Sequence, residues 1–481
     1  MILAGSCSDN EPQYYSNPVI RCDMADPSVI RVGERYYATG SSYLWSPQYP
    51  LYVSDDLVNW KQTGNIFEEK PEWTGTGFWA PELFEHNGKY YCYFSASRLS
   101  DGKHCIGAAV ADAPEGPYRD LGCILDMGTE QIDSYVLNDD GKLYLCWKAH
   151  GLDRCPDEIC CVRLGEDCVS IVGEEFTLVR DDEAIGMEGP CMFKWNGWYY
   201  LLYSTHSCCG PMSDYEVWVA RTKNIEGPWE KCPDNPVLTG GNEDVKSLGH
   251  GSVVTTPDGR LFYLCHAYLT GESFFLGRRP FLSELESTED GWIRCTTGSA
   301  AAIEHPVPFE GTVQHINDEF SEDFTDGCLD CSWSHPIEDG AISVLCQRPF
   351  CENYTVSAEV KKSEAAEKGI IFFGCHTDYV ALSVTKTAEG ENIAVKSMRD
   401  GSIEVEKEWF VSESGLTLSA TVSGSLNVTF HWKSAGAEGS FELPETLSRL
   451  MRWDSAFRPG IYSSGPKAED SFKVFTISKT I

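Results

Sequence analysis

Polar and apolar positions over the first three hundred residues repeat one phrase five times. Each copy has a polar residue, a short apolar run, a Gly-centred turn and an aromatic run. The copies open at Asp26-Pro27-Ser28-Val29-Ile30, Ala80-Pro81-Glu82-Leu83-Phe84 and Asp133-Ser134-Tyr135-Val136-Leu137. The last two open at Glu188-Gly189-Pro190-Cys191-Met192-Phe193 and His250-Gly251-Ser252-Val253-Val254. A second half follows most of them: further strand-like runs such as Val217-Trp218-Val219-Ala220, then a Gly-Pro-aromatic turn such as Gly227-Pro228-Trp229. Four short strands per unit, repeated at roughly 50 residues, predict an all-β chain that begins with a five-bladed β-propeller. Near residue 310 the phrase stops. Runs such as Tyr354-Thr355-Val356-Ser357-Ala358 and Leu416-Thr417-Leu418-Ser419-Ala420 then alternate with period two, which suits a C-terminal antiparallel β-sandwich of jelly-roll type. The expected division is a propeller over 1–310 and a sandwich over 320–481, with the boundary between 305 and 325.

A chain of 481 residues has room for both units. Its net charge of -35 argues against nucleic acid or an anionic membrane surface as a partner and favours a neutral ligand. No apolar run reaches membrane-spanning length. The 21 cysteines are scattered through apolar strands, where Cys92, Cys146 and Cys265 act as small hydrophobes. Adjacent pairs Cys160-Cys161 and Cys208-Cys209 are awkward for ordinary disulfides, and the usage suits a reducing compartment. Met1 to Cys7 lacks the basic region and apolar core of a signal peptide. The expectation is a cytoplasmic chain, or a secreted one if a leader has been removed.

Three of the five phrases open with a carboxylate: Asp26, Asp133 and Glu188. Equivalent positions in a propeller lie at equivalent radius, so these groups should converge at one end of the central channel. Taken singly, Asp26 or Asp133 reads as a turn cap; the shared register is what points to chemistry. Two carboxylates can hydrolyse a glycosidic bond, one as acid and one as base, and a third can keep the acid protonated by repulsion. Acid and base on different sides of a channel leave room for water, which favours inversion at a separation of about 6.5–9.5 Å. His250 opens the fifth phrase and is a candidate ligand or water-mediated metal contact. Trp79, Tyr43 and Trp45 offer rings on which a sugar face can stack. Arg278 is a candidate clamp for a hydroxyl or carboxylate, against the reading of a surface salt bridge. Glu82, one step further along its strand, is expected to be structural.

These residues, in order and at blade spacing, resemble glycoside hydrolase family 43 over roughly residues 14 to 310. The carriers are Ala25-Asp26-Pro27-Ser28-Val29, Trp79-Ala80-Pro81-Glu82, Ile132-Asp133-Ser134, Glu188-Gly189-Pro190 and Gly249-His250-Gly251-Ser252. The resemblance implies an inverting enzyme in which Asp26 looks like the general base, Glu188 the general acid and Asp133 its pKa modulator. His250 looks like a central-channel histidine near a structural calcium ion; no cofactor is required for hydrolysis. Trp79, Arg278 and Tyr43 look like substrate contacts. The implied substrate is a hemicellulose oligosaccharide or polysaccharide carrying β-D-xylosyl or α-L-arabinofuranosyl units. The fifth segment departs from the double-histidine form of some members, and the Cys208-Cys209-Gly210-Pro211 loop is unfamiliar. Two other readings stand beside it. One is a retaining fructosidase on the same architecture, whose Asn-Asp-Pro-Asn-Gly, Arg-Asp-Pro and Glu-Cys motifs are missing here. The other is a non-catalytic carbohydrate-binding propeller. A chain that meets imported fragments would act from chain ends on short oligosaccharides.

Overall fold

The computed structural model describes residues 13–149, 156–325, 327–338, 340–412, 415–451, 456–465 and 467–480. The Met1–Cys7 start, on which the localisation expectation rests, lies outside the described residues. Five antiparallel sheets are each built from strands of one stretch of sequence, so every blade closes on itself. Their innermost strands are Ser28–Val32, Trp79–His86, Gln131–Asp139, Met187–Trp195 and Val245–Thr255. Since no blade mixes chain ends, the circle is closed differently. Tyr14–Ser16 pairs with Glu304–Pro306, and the Asn17 side chain exchanges two hydrogen bonds with the Leu282 backbone at 2.9 and 3.0 Å. Buried Tyr, Phe, Cys and Leu side chains fill the spaces between blades. Cys92, Cys146 and Cys265 are fully buried there, as small hydrophobes in strands should be.

Two six-stranded antiparallel sheets form the C-terminal sandwich around Val356, Phe372, Phe430 and Phe475. The segment before it is not a free linker. His335–Pro336 pairs with Trp45–Ser46 of blade one, and the Arg458 guanidinium lies 4.2 Å from the Trp45 ring centroid. Trp45 is therefore a packing residue at the contact between propeller and sandwich, 4% exposed, rather than a sugar platform. Arg348 donates to the Asp23 carbonyl at 3.1 Å, the Tyr52 hydroxyl at 2.8 Å and Gln62 Oε1 at 2.6 Å. Among the described residues, no helix is long and apolar enough to cross a membrane.

A bulge near the start of four inner strands sets the register of the channel. Pairing skips one or two residues after Trp79, Ile132, Glu188 and Gly249. The first residue skipped in each has positive φ: Ala80 (41°), Asp133 (60°), Gly189 (60°) and His250 (42°), matched in blade one by Asp26 (53°). The equivalent position in blade four is thus Gly189. Glu188 sits one residue earlier, in line with Trp79 of blade two. This corrects the register read from the sequence, in which Glu188 and Asp133 were equivalent. Two rings result. The bulge ring carries Asp26, Asp133 and His250, and the ring before it carries Trp79 and Glu188.

Candidate active site

A bulge leaves a backbone N–H outside its own sheet, and a buried N–H must find an acceptor elsewhere. Here the neighbouring blade supplies it. Ala80 N donates to Ser41 Oγ at 2.8 Å, Asp133 N to Ser95 Oγ at 3.0 Å, His250 N to Ser204 Oγ at 2.7 Å and Asp26 N to His266 Nδ1 at 3.0 Å. Each acceptor ends the aromatic run of the preceding blade: Tyr36 to Ser41, Tyr90 to Ser95, Tyr199 to Ser204 and Leu261 to His266. Blade three breaks the pattern. Its run, Leu143 to Lys148, ends in a lysine, whose ammonium has no lone pair to accept with. Gly189 N donates instead to Asp133 Oδ2 at 3.0 Å. A Cβ on Gly189 would lie 2.7 Å from His250 Cγ, so glycine is needed there for space as well as for φ.

The carboxylates end in different surroundings. Asp26 accepts from Ser41 Oγ at 2.5 Å and from Arg278 Nη1 at 3.3 Å, with the ring nitrogens of His266 and His250 at 3.3 and 3.5 Å. Burial alone would push its carboxyl up. Arg278 and the two histidines outweigh that and hold it well below the usual carboxylate range. Asp133, the most buried of the three, goes the other way. Burial, with repulsion from Glu188 and Asp26, outweighs His250 and Lys148 and pushes it up to about 6. Glu188 is the most exposed, with a side chain 20% accessible against 9% for Asp26 and 6% for Asp133. It accepts from Tyr215 Oη at 2.9 Å and faces Lys148 Nζ at 3.5 Å. Tyr215 reaches it across Gly249, where a Cβ would lie 2.4 Å from the tyrosine ring. The site therefore holds one carboxylate kept ionised and, close by, a second, Asp133, whose carboxyl is pushed up to about 6, the kind of contrast acid–base chemistry needs.

The remaining expected residues fall as follows. Arg278 is not a surface salt bridge: it is 5% exposed, bonds Asp26, and donates from Nη2 to the Tyr43 hydroxyl at 3.2 Å. Tyr43 is itself buried and braces that arginine. Trp79 is half-buried and stacks on His104, centroids 3.9 Å apart and planes 14° apart, so one of its faces is already covered. His250 Nδ1 lies between Asp26 and Asp133, at 3.5 and 3.8 Å, and bridges them. The side chains here do not by themselves offer the six to eight oxygens calcium takes, so an ion at this place would be held largely through water. The Asp26 oxygens are engaged by Ser41 and Arg278, and Asp133 Oδ2 by Gly189. Among the described residues, no group of three His, Cys, Asp or Glu side chains is placed to hold a metal ion. Glu82 is buried two residues inside the bulge ring, accepts from Ser28 Oγ at 2.6 Å, and burial raises its pKa well above the usual value.

Four residues beside the carboxylates escaped the sequence reading: Ser41, Lys148, Tyr215 and His266. For three of them a signal exists. Asp26 and Ser41, Ala80 and Ser95, Asp133 and Lys148, and Gly189 and Ser204 all lie fifteen positions apart, and His250 and His266 sixteen. That near-constant spacing marks the cap position, though at fifteen or sixteen it does not by itself separate Gly189 from Glu188. Tyr215 lies in a loop and has no such signal.

Residues 15–293 match the sequence model described as Glycosyl hydrolases family 43. A xylosidase/arabinosidase 43B of Humicola insolens is 29% identical over 313 residues, 61% of this chain and 57% of that protein. A non-reducing end alpha-L-arabinofuranosidase of Bacteroides ovatus is 24% identical over 94% of this chain and 91% of its own. The matched region spans a little over half the length of the first curated relatives. Among solved structures, the GH43 protein BlXynB of Bacillus licheniformis superposes with a TM-score of 0.83 at 22% identity, covering 97% of this chain and 100% of that one. At that identity the likeness concerns the fold.

Proposed function

Since the chain belongs to glycosyl hydrolases family 43, we propose that it hydrolyses glycosidic bonds of pentose-bearing hemicellulose oligosaccharides with inversion, releasing β-D-xylosyl or α-L-arabinofuranosyl units. The observation that carries this reading is the contrast between Asp26, held ionised by Arg278 and two histidines, and Asp133 beside Glu188, whose carboxyl is pushed up to about 6. Asp26 serves as the base: it takes a proton from water as the water attacks the anomeric carbon. Glu188, on the outer ring and the more accessible, serves as the acid. It gives its proton to the glycosidic oxygen as the C–O bond breaks, so the leaving group departs as a neutral alcohol. The cycle leaves Glu188 ionised and Asp26 protonated, and exchange with solvent resets both. Asp133 holds the Gly189 backbone beside Glu188. Arg278 fixes Asp26, and Trp79 walls the pocket. No step passes through a metal.

The names of the relatives, xylosidase/arabinosidase and alpha-L-arabinofuranosidase, support both sugars as candidates. Family membership disfavours the fructosidase reading. The test is turnover of the 4-nitrophenyl glycosides of β-D-xylose and α-L-arabinofuranose, with Glu188→Gln and Asp26→Asn as controls. Activity on either sugar, lost in both variants, is expected. Activity that survives in both would remove the assignment.

A further inference from the structure

The cap ring has one exception, and it falls beside Glu188. In four blades the residue ending the aromatic run is Ser41, Ser95, Ser204 or His266, each accepting a bulge N–H from the next blade. Lys148 holds the same position, pairing with Ile132 as Ser95 pairs with Trp79. Its side chain is 7% accessible, and Nζ lies 3.5 Å from Glu188 Oε2 and 3.7 Å from Asp157 Oδ2. Burying an ammonium is costly by its nature, whereas a serine would have capped Gly189 as Ser41, Ser95 and Ser204 cap their neighbours. Burial works against the lysine's charge, but Glu188, Asp157 and Asp133 outweigh it, so the ammonium persists.

We propose that Lys148 is the positioning residue for proton delivery, holding Glu188 towards the leaving group and stabilising the carboxylate that forms as its proton departs. The inference rests on Glu188 being the acid. Two consequences follow from the geometry. First, Lys148 interacts more strongly with Glu188 after proton transfer than before, so it favours the transition state over the ground state. Second, because lysine cannot accept the Gly189 N–H, that bond falls to Asp133, which is thereby fixed beside the acid. One substitution in the ring thus organises both partners of Glu188. Asp157 balances the lysine from the far side.

The experiment measures kcat/KM of the full chain on two aryl glycosides of the sugar it turns over, one with phenol and one with 2,4-dinitrophenol as leaving group. The variants are Lys148→Met, which keeps length without charge, Lys148→Arg, which keeps charge, and Glu188→Gln. Dinitrophenolate leaves without a proton and phenol does not. Lys148→Met is expected to lose about tenfold or more on the phenyl glycoside and far less on the dinitrophenyl one. Its alkaline limb should move to higher pH, because removing a nearby cation raises the acid's pKa. Lys148→Arg should restore much of both. Equal loss on the two substrates with an unmoved limb would make Lys148 a structural residue and overturn the inference, provided Glu188→Gln shows the leaving-group contrast. A Glu188→Gln variant without that contrast would overturn the acid assignment, and this inference with it.

Discussion

At the scale of single residues, chemistry follows from small differences in environment between like groups. Asp26 and Asp133 occupy the same register in blades one and three, and both have positive φ. One faces a buried arginine and the other faces two carboxylates, which separates their proton affinities. Activity should therefore stay flat on the acid side until Asp26 takes up a proton, well below the ordinary carboxylate range. It should fall on the alkaline side once the acid has given up its proton, a loss that negative charge on Asp133, itself pushed up to about 6, opposes by repulsion. Asp133→Asn removes a negative charge from beside the acid, so the alkaline limb should move down, together with a lower kcat. A pH profile of kcat/KM checks both points, and a limb that stays in place would leave Asp133 with an orienting role alone. These carboxylates were legible in the sequence because repetition placed them in near-register. Their partners were less so. Lys148 and His266 lie inside or at the end of aromatic runs, and only their near-constant spacing to the bulge residue singles them out.

At the scale of elements, the bulge is the unit that makes the pocket. Each one turns a residue into the channel and leaves an N–H for the adjoining blade to cap, so the functional groups are held by contacts between blades. Ser204→Ala should leave the His250 N–H buried without its acceptor, costing about 1–3 kcal/mol, and should loosen the imidazole that bridges Asp26 and Asp133. The expected result is a lower midpoint in denaturant together with a clear loss of kcat. The same substitution at Ser213, which bonds Ser247 and the Ser207 carbonyl away from the carboxylates, should cost stability with less effect on rate. The repeat announced blades and strands through turn glycines and aromatic runs. It did not announce bulges, since a one-residue skip in pairing leaves the apolar pattern almost unchanged. That is why the sequence placed Glu188 in register with Asp133, where the structure has Gly189.

At the scale of the molecule, the sandwich supports the propeller at the side that carries Asp26. Arg348 grips the Asp23 backbone, Asp23 Oδ1 accepts from Arg278 N at 2.9 Å, and Arg278 holds Asp26. Arg348→Ala should lower stability by about 2–3 kcal/mol and reduce activity although it stands apart from the carboxylates; calorimetry beside kinetics would show whether the two losses go together. This coupling was not readable in the sequence, because it joins residues more than three hundred positions apart and follows no period. The two architectures themselves were readable, since each has its own rhythm of apolar positions. The central proposal is inversion with Asp26 as the base and Glu188 as the acid. Proton NMR of the first sugar released tests it most directly, read before mutarotation sets in. The account predicts the anomer opposite to that of the substrate: α-xylose from a β-xyloside, or the β anomer from an α-L-arabinofuranoside. Release of the same anomer would mean a covalent intermediate and would contradict it.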